Sequence, residues 1–171
     1  MPALPNDVSL VPFTWNHVRQ TFHWVSDPEL RRVFLMRGEP TWEDHLAYFE
    51  RVFADAMQRV YAILAADRHV GNCGLKNLGR QARTGEMWIY IGEPPARGKK
   101  IGRSATELLL REGFEVLGLE TIYLHAGGFN TAARRLYERL GFVAVPLSSE
   151  TNEWADRECQ IVRMELKREQ P

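Results

Sequence analysis

A basic turn that leads straight into a helix is the stretch of this chain best suited to chemistry. The turn reads Arg97-Gly98-Lys99-Lys100-Ile101-Gly102-Arg103, and an amphipathic helix is predicted from Ser104 to Leu117. The first N–H groups of a helix have no partner within it, and the helix dipole is positive at that end. Glycines let the backbone approach a ligand closely, and lysines add positive charge. The turn therefore indicates a site for a phosphate group.

Strand signals on both sides of the turn indicate how it is positioned. Gly85 to Gly92 carries the strongest strand signal in the chain, and Pro94 and Pro95 end it because proline has no N–H for a ladder. Thr121 to Ala126 follows the helix as a short apolar run, which we expect to be a fully buried strand. A strand, a helix and a strand in this order predict a parallel pair joined by a right-handed crossover.

The rest of the chain carries shorter strand and helix signals. Further strands are predicted over Val8 to Phe13, Arg59 to Ala66, Val70 to Leu78, Phe142 to Leu147 and Gln160 to Leu166. Further helices are predicted from Thr14 to Val25, from Glu29 to Leu35 and from Asn130 to Leu140. Another helix is predicted after a Thr41 cap, because Leu46, Phe49, Phe53 and Met57 recur at helical spacing and form one apolar face. Residues 1–171 show no repeat or linker, so we predict one α+β domain. Its sheet is mixed, mostly antiparallel and about seven-stranded, with helices on both faces.

Composition argues against several classes of function. The chain has 22 basic and 22 acidic residues, so it lacks the basic excess that is typical of a nucleic-acid binder. No apolar run approaches the roughly 20 residues that span a bilayer, and the start of the chain lacks the features of a signal peptide. Cys73 and Cys159 lie far apart without metal-type spacing, which favours free thiols in a reducing cytoplasm. We therefore expect a cytoplasmic protein with no metal, nucleic-acid or membrane partner.

Two motifs resemble those of the GNAT acyltransferase superfamily. Arg97 to Gly102 is similar to the family's acetyl-CoA signature, Arg/Gln-x-x-Gly-x-Gly/Ala. Asn130 to Phe142 is similar to its second motif, Asn-x-x-Ala-x-x-x-Tyr-x-x-x-Gly-Phe. Both stand in the family's order and at the family's separation, and the resemblance covers Gly85 to Phe142 well and the rest by element order. It implies the GNAT fold, with a splayed parallel strand pair in the middle of the sheet, and transfer of an acetyl group from acetyl-CoA to an amine.

The resemblance also implies which residues bind CoA. Backbone N–H groups from Gly98 to Arg103 are expected to hold the pyrophosphate, and the pantetheine arm to lie between the two splayed strands. The cofactor-binding residues implied in this way are Tyr90, Ile91, Arg97, Gly98, Lys99, Lys100, Ile101, Gly102, Arg103, Asn130, Ala133 and Tyr137. Lys100 departs from the signature, which usually has glycine at this position. If the position needs a positive φ, the lysine is strained, and we expect this to modify CoA affinity rather than remove binding.

Direct attack of a neutral amine on the thioester requires an acid and a base. Tyr137 matches the tyrosine that protonates the leaving CoA thiolate in many relatives, and a phenol with an ordinary pKa of about 10 is protonated at neutral pH. The base has two candidates, Glu86 at the start of one splayed strand and His125 on the facing strand. The pattern leaves both open.

The amine acceptor enters from the N-terminal half in this family. The stretches Trp24 to Arg31 and Thr41 to Leu46 resemble a subgroup with two kinds of enzyme, ribosomal-protein N-terminal acetyltransferases and nucleotide-linked amino-sugar N-acetyltransferases. By this resemblance, the residues expected to bind the acceptor are Trp24, Arg31, Trp42 and Trp88, with Trp154 as a further stacking candidate. Arg32 and Arg37 are further candidates, beside Arg31, for contact with a nucleotide diphosphate. The favoured acceptor is an amino-sugar nucleotide, with a protein N-terminus or a small amine as the alternative. A CoA-binding module without catalysis is the alternative of another class, and we expect a monomer or a homodimer.

Overall fold

Seven strands form one mixed sheet in a computed structural model that describes residues 7–79, 81, 83–147 and 161–169. The strands are β1 (Val8–Pro12), β2 (Arg59–Ala65), β3 (Arg68–Gly79), β4 (Thr84–Ile91), β5 (Thr121–Gly127), β6 (Val143–Val145) and β7 (Ile161–Lys167). They lie in the order β1-β2-β3-β4-β5-β7-β6, and every neighbouring pair is antiparallel except β4 and β5. The predicted mixed, mostly antiparallel sheet is confirmed.

Helices cover the sheet on both faces. They are α1 (Trp15–Val25), α2 (Pro28–Val33), α3 (Trp42–Ala54), α4 (Ile101–Arg111) and α5 (Thr131–Arg139). Two consecutive residues of β2 show the two layers, because side chains alternate along a strand. Ala62 packs in a cluster with Val18 of α1 and Phe49 of α3, whereas Ile63 packs in the larger core that contains Leu109 of α4. None of the described helices is both long and apolar enough to cross a membrane.

The parallel pair of β4 and β5 is joined only at its beginning. Thr84 pairs with Thr121, Gly85 with Ile122 and Glu86 with Tyr123, and the ladder stops there. Beyond this point β4 continues to pair with β3, and β5 continues to pair with β7. Each strand therefore follows its own antiparallel partner, and a wedge opens between them. The predicted splayed parallel pair is confirmed.

Several boundaries differ from the sequence prediction. The helix α4 begins at Ile101 rather than Ser104, and it gives way at Glu112 to a π-helical turn in which Val116 is 68% exposed. The helix α3 ends at Ala54 because the Asp55 side chain accepts a hydrogen bond from the Met57 N–H and turns the chain. Met57 is therefore outside the helix and exposed.

The strand β5 was expected to be buried throughout, and this is wrong. Only alternate side chains are buried, those of Ile122, Leu124 and Ala126, whereas Tyr123 and His125 point to the other face and stay partly accessible. The run looked uniformly apolar because tyrosine and histidine both have large ring surfaces. Of the predicted last strand, Gln160 lies outside the described residues, as does the predicted loop from Ser148 to Glu158.

Lys100 does occupy a backbone position that favours glycine. Its φ is 62° and its ψ is 5°, which is the left-handed region, and Gly98 two residues earlier has φ 73°. These two positive φ values turn the chain from the end of β4 into α4. A non-glycine residue in this region costs on the order of 1 kcal/mol, so the loop carries backbone strain at Lys100.

We expect the strain to be visible in stability. Lys100→Gly should leave the free energy of unfolding equal or higher, because relief of the positive φ offsets the greater freedom that glycine has in the unfolded chain. Lys99→Gly is the matched control, because Lys99 is not among the described positive-φ residues, and it should lower stability by about 0.5–1 kcal/mol. Urea denaturation of both variants measures the difference. Equal losses in the two variants would show that Lys100 is unstrained.

Candidate active site

A cleft of about 870 Å³ lies where β4 and β5 part. In one part of it, Gly102 of α4, Asn130 at the start of α5 and Tyr137 of α5 line the wall. In another part, Lys76 of β3 and Arg31 of α2 line the wall. The wedge between the strands therefore connects the region predicted for CoA with the region predicted for the acceptor.

The start of α4 is arranged for an anion. No side chain caps this helix and no acidic residue lies in its first turn, whereas the N-cap side chains of α2, α3 and α5 each accept a backbone N–H. The first N–H groups of α4 therefore have no acceptor from a capping side chain. Lys99, Lys100 and Arg103 are exposed around them, and Arg103 also pairs with Glu107 at 3.1 Å.

Arg97 has a positioning role in this structure. Its guanidinium donates to the carbonyl oxygens of Ile91 and Gly92, at 3.0 Å each. Ile101, at the other side of the turn, is buried in the core. These contacts fix the basic turn to the end of β4 at one side and to the core at the other, which holds the helix start beside the cleft.

Tyr90 is part of a buried hydrogen-bond network that the sequence analysis did not anticipate. The Asn72 amide donates to the Tyr90 hydroxyl and to the Thr21 hydroxyl, at 2.8 Å each, and Asn72 Oδ1 lies 2.7 Å from His69 Nε2. Burial raises the pKa of Tyr90. The network ties β4, β3 and α1 together, so it makes the β4 wall of the cleft rigid. In the sequence, the polar Asn72 among small and apolar residues of a predicted strand is the feature that indicates a buried hydrogen-bond network.

Glu86 and His125, the two alternatives for the base, are in contact. Glu86 Oε1 lies 2.9 Å from His125 Nδ1, and both side chains are 13% exposed. Glu86 is the last residue of the β4–β5 ladder, and its partner Tyr123 lies two residues before His125. The strand pairing therefore brings them together. Within the described part of the chain, no group of three His, Cys, Asp or Glu side chains could hold a metal ion.

The ionisation of Glu86 determines which nitrogen of His125 carries a proton. Burial opposes ionisation of the carboxyl, but the hydrogen bond to His125, the nearby charge of Lys76 and the hydrogen bond from Asn77 outweigh it, so the pKa of Glu86 is lowered. A carboxylate can only accept, so Nδ1 of the neutral ring must be the donor. The lone pair then lies on Nε2, which is buried without a hydrogen-bond partner among the described residues.

Two residues of β3 that the sequence analysis did not single out hold Glu86 in place. Lys76 Nζ lies 3.7 Å from Glu86 Oε1, and the Asn77 amide donates to Oε2 at 2.9 Å. The register of β3 against β4 shifts between Lys76 and Gly79, and Asn77 has φ 52°. A bulge of this kind re-aims side chains at a sheet. In the sequence, Asn77 followed by Leu78-Gly79 at the end of a predicted strand indicates a bulge.

Tyr137 lines the cleft together with Gly102 and Asn130, in the region predicted for CoA. It is 9% exposed, and burial raises its pKa to about 12. It follows Asn130, whose side chain accepts from the Ala133 N–H at 3.3 Å and so caps α5. Asn130, Ala133 and Tyr137 all line the cleft, as the second motif suggested.

The predicted acceptor residues divide into two groups. Arg31 and Trp88 line the cleft. Trp24 does not, because its ring is 3% exposed and packs on Gly92, where a Cβ would lie 2.1 Å from the ring. Trp42 is half-buried against Phe22 and also lies outside the lining. Trp24 and Trp42 are thus packing residues in this structure, and Trp154 lies outside the described residues.

Comparison with known proteins agrees with this geometry. The profile of the acetyltransferase (GNAT) domain family matches residues 7–143. The alpha/beta-tubulin-N-acetyltransferase 9 of Homo sapiens is 31% identical over 161 residues, which cover 85% of this chain and 77% of that protein. The mycothiol acetyltransferase of Pseudarthrobacter chlorophenolicus is 29% identical over 143 residues, which cover 82% of this chain and 44% of that protein.

Solved structures show the same fold. The spermidine N-acetyltransferase of Vibrio cholerae, in complex with CoA and spermine, superposes with a TM-score of 0.85. It is 22% identical in sequence, and the superposition covers 94% of this chain and 95% of that one. The family match over most of the chain, supported by the tubulin acetyltransferase relative, confirms the resemblance of the two motifs. The chain belongs to the GNAT acetyltransferase family and is an acyltransferase enzyme whose acetyl donor is acetyl-CoA.

Proposed function

We propose that this enzyme transfers an acetyl group directly from acetyl-CoA to a primary amine held beside the Glu86–His125 pair. The observation that carries the proposal is the 2.9 Å contact between these two side chains at the point where β4 and β5 part. The amine must reach the donor within this wedge, so the pair lies where a proton has to be removed.

The residues present fit CoA. Backbone N–H groups at the start of α4, from Gly98 to Arg103, would hold the pyrophosphate, with Lys99 and Lys100 adding positive charge and Arg97 positioning the turn. The backbone near Tyr90 and Ile91 would bind the pantetheine arm, because the edge of β4 that faces β5 has no ladder partner there. When bound, acetyl-CoA supplies a thioester carbonyl that an amine can attack.

His125 acts as the base in this proposal, and Glu86 as its positioning partner. The carboxylate keeps the proton of the neutral ring on Nδ1, so Nε2 accepts the proton of the amine as the new C–N bond forms. Glu86 also stabilises the imidazolium that results, because its negative charge lies 2.9 Å away. A carboxylate with a lowered pKa is a weak base, which supports His125 rather than Glu86 as the base in this proposal.

Tyr137 acts as the acid. Its raised pKa of about 12 keeps the proton on the phenol oxygen at neutral pH, and this oxygen delivers a proton to the sulfur as the C–S bond breaks. The amine therefore loses one proton to Nε2 and the sulfur gains one from Tyr137. Solvent restores both residues when the products leave.

For the acceptor, we propose a nucleotide-linked amino sugar, with a small primary amine or a protein N-terminus as the alternative. The relatives are named for tubulin, mycothiol and spermidine, which are chemically different molecules, so their names do not fix the acceptor of this enzyme. Arg31 and Trp88 in the cleft lining support an acceptor with both an anionic group and a flat ring. Release of CoA thiol, measured with an amino-sugar nucleotide and with spermidine, separates the two classes.

The rates of two variants test the base. His125→Gln should lower kcat/KM by roughly 10²-fold or more, because the group that accepts the proton of the amine is lost. Glu86→Gln should lower kcat/KM by about tenfold, because the carboxylate that orients the ring and stabilises the imidazolium is lost. Steady-state thiol release measures both.

The matched control for these variants is His23→Gln, since His23 is an exposed histidine at the end of α1 and does not line the cleft. It should leave the rate unchanged. A wild-type rate in Glu86→Gln would remove Glu86 from the mechanism, and a wild-type rate in His125→Gln would remove His125.

The acid is tested by deleting one oxygen. Tyr137→Phe should lower kcat by roughly 10²-fold with little change in the affinity for acetyl-CoA, because the sulfur would leave without a proton donor. Tyr61→Phe is the control, since its hydroxyl donates to Glu112 at 3.0 Å outside the cleft lining. Stopped-flow or steady-state thiol release measures kcat. Equal rates for the two variants would contradict the role of Tyr137.

A further inference from the structure

The charges along the cleft wall are uneven. Among the described residues that line it, three side chains are cationic, Arg31, Arg37 and Lys76, and Glu86 is the only carboxylate. Glu86 is already in contact with His125, Lys76 and Asn77. The described part of the cleft lining therefore has no carboxylate left over to bind a second positive charge on an acceptor, and its cations would repel one.

Arg31 is the best placed of these cations to bind a ligand. Its side chain is 13% exposed, and its guanidinium donates to the Gly38 carbonyl oxygen. The only carboxylate recorded near it among the described residues is Glu39, at 3.9 Å and 92% exposed. Its Nε is buried without a hydrogen-bond partner in the described part of the chain. A buried guanidinium with an unsatisfied donor is stabilised by an anion that binds to it in two places.

The position of Arg31 relative to the base can be read along β4. Glu86, Trp88 and Tyr90 are alternate residues, so they share one face of the strand. The ring of Trp88 stacks with Tyr90 at 6.0 Å, and Phe34, just after α2, lies 5.5 Å from Tyr90. Leu30, next to Arg31, packs in the same cluster as Tyr90. Arg31 is therefore on the far side of Trp88 from the Glu86–His125 pair.

We propose that Arg31 forms an anion subsite, so that the acceptor is an elongated primary amine with a carboxylate or phosphate group at its other end. The amine lies at the Glu86–His125 pair, the middle of the acceptor lies against Trp88, and the anion binds Arg31. From Glu86 to Tyr90 the backbone of the strand spans roughly 13 Å, and the acceptor has to bridge less than this because the side chains of His125 and Arg31 line the cleft between. The inference rests on the proposed acetyl transfer and adds the charge and the length of the acceptor.

The test uses four amines with the same five-carbon spacer and different end groups. They are pentylamine, cadaverine, ε-aminocaproate and aminopentyl phosphate, whose five-carbon chains carry at the far end a hydrogen atom, an ammonium, a carboxylate and a phosphate. We expect kcat/KM for one or both anionic amines to exceed that of the other two by roughly tenfold or more, and the better of the anionic pair identifies the group that the subsite takes. Higher kcat/KM for cadaverine or pentylamine would overturn the proposal.

Two variants locate the effect. Arg31→Gln should remove the preference for the anionic amines by raising their KM about tenfold, with little change for pentylamine, and Arg31→Lys should keep part of it. Arg32→Gln is the matched control, since Arg32 is on the same helix, outside the cleft lining and paired with Glu29 at 2.8 Å. It should keep the full preference.

The outcomes separate this inference from the proposed function. A preference for anions that survives in both Arg31 variants would place the subsite elsewhere and overturn the inference, while acetyl transfer itself would stand. No thiol release with any amine, although acetyl-CoA binds, would overturn the proposed transfer and the subsite with it. If Arg31→Gln does not fold, the order of the four amines with the unchanged enzyme still decides.

Discussion

The site depends on the early end of the parallel ladder between β4 and β5. After Glu86 and Tyr123 each strand follows its antiparallel neighbour, so the facing edges, from Met87 to Ile91 and from Leu124 to Gly127, have no strand partner across the wedge. Buried backbone N–H and C=O groups without partners are costly, and an extended ligand that inserts between the edges can satisfy them. The core under α4 and the Asn72 network keep the two edges fixed.

The same strand pairing sets up the chemistry. The last pair of the ladder places Glu86 opposite Tyr123, and His125 then lies on the same face two residues further, within hydrogen-bond distance of Glu86. The bulge at Asn77 adds a donor to the other carboxylate oxygen. Beyond this point the wedge widens towards α4 and α5, which contribute an uncapped helix start and Tyr137. The proposed proton acceptor, His125, and the proposed proton donor, Tyr137, therefore line the same opening.

The sequence predicted the elements better than their side-chain environment. The strand and helix signals, the Thr41 cap and the two motifs predicted the fold, because capping and periodicity are local. Trp24 was assigned to the acceptor site, whereas it is buried against Gly92, and no local pattern distinguishes a stacking tryptophan from a core one. The Glu86–His125 contact joins residues 39 positions apart, and Lys76 and Asn77 reach it only through a bulge. Such contacts depend on register, which periodicity does not give.

The most direct test of this account is amide hydrogen exchange of the enzyme with acetyl-CoA, compared with ADP, which has a pyrophosphate and no pantetheine arm. Acetyl-CoA should slow exchange both at the start of α4, around Ile101 to Arg103, and along the free edge of β4, from Met87 to Ile91. ADP should slow exchange only at the helix start. No protection of Met87 to Ile91 by acetyl-CoA would show that the donor does not lie in the wedge, and the roles derived from it would not stand.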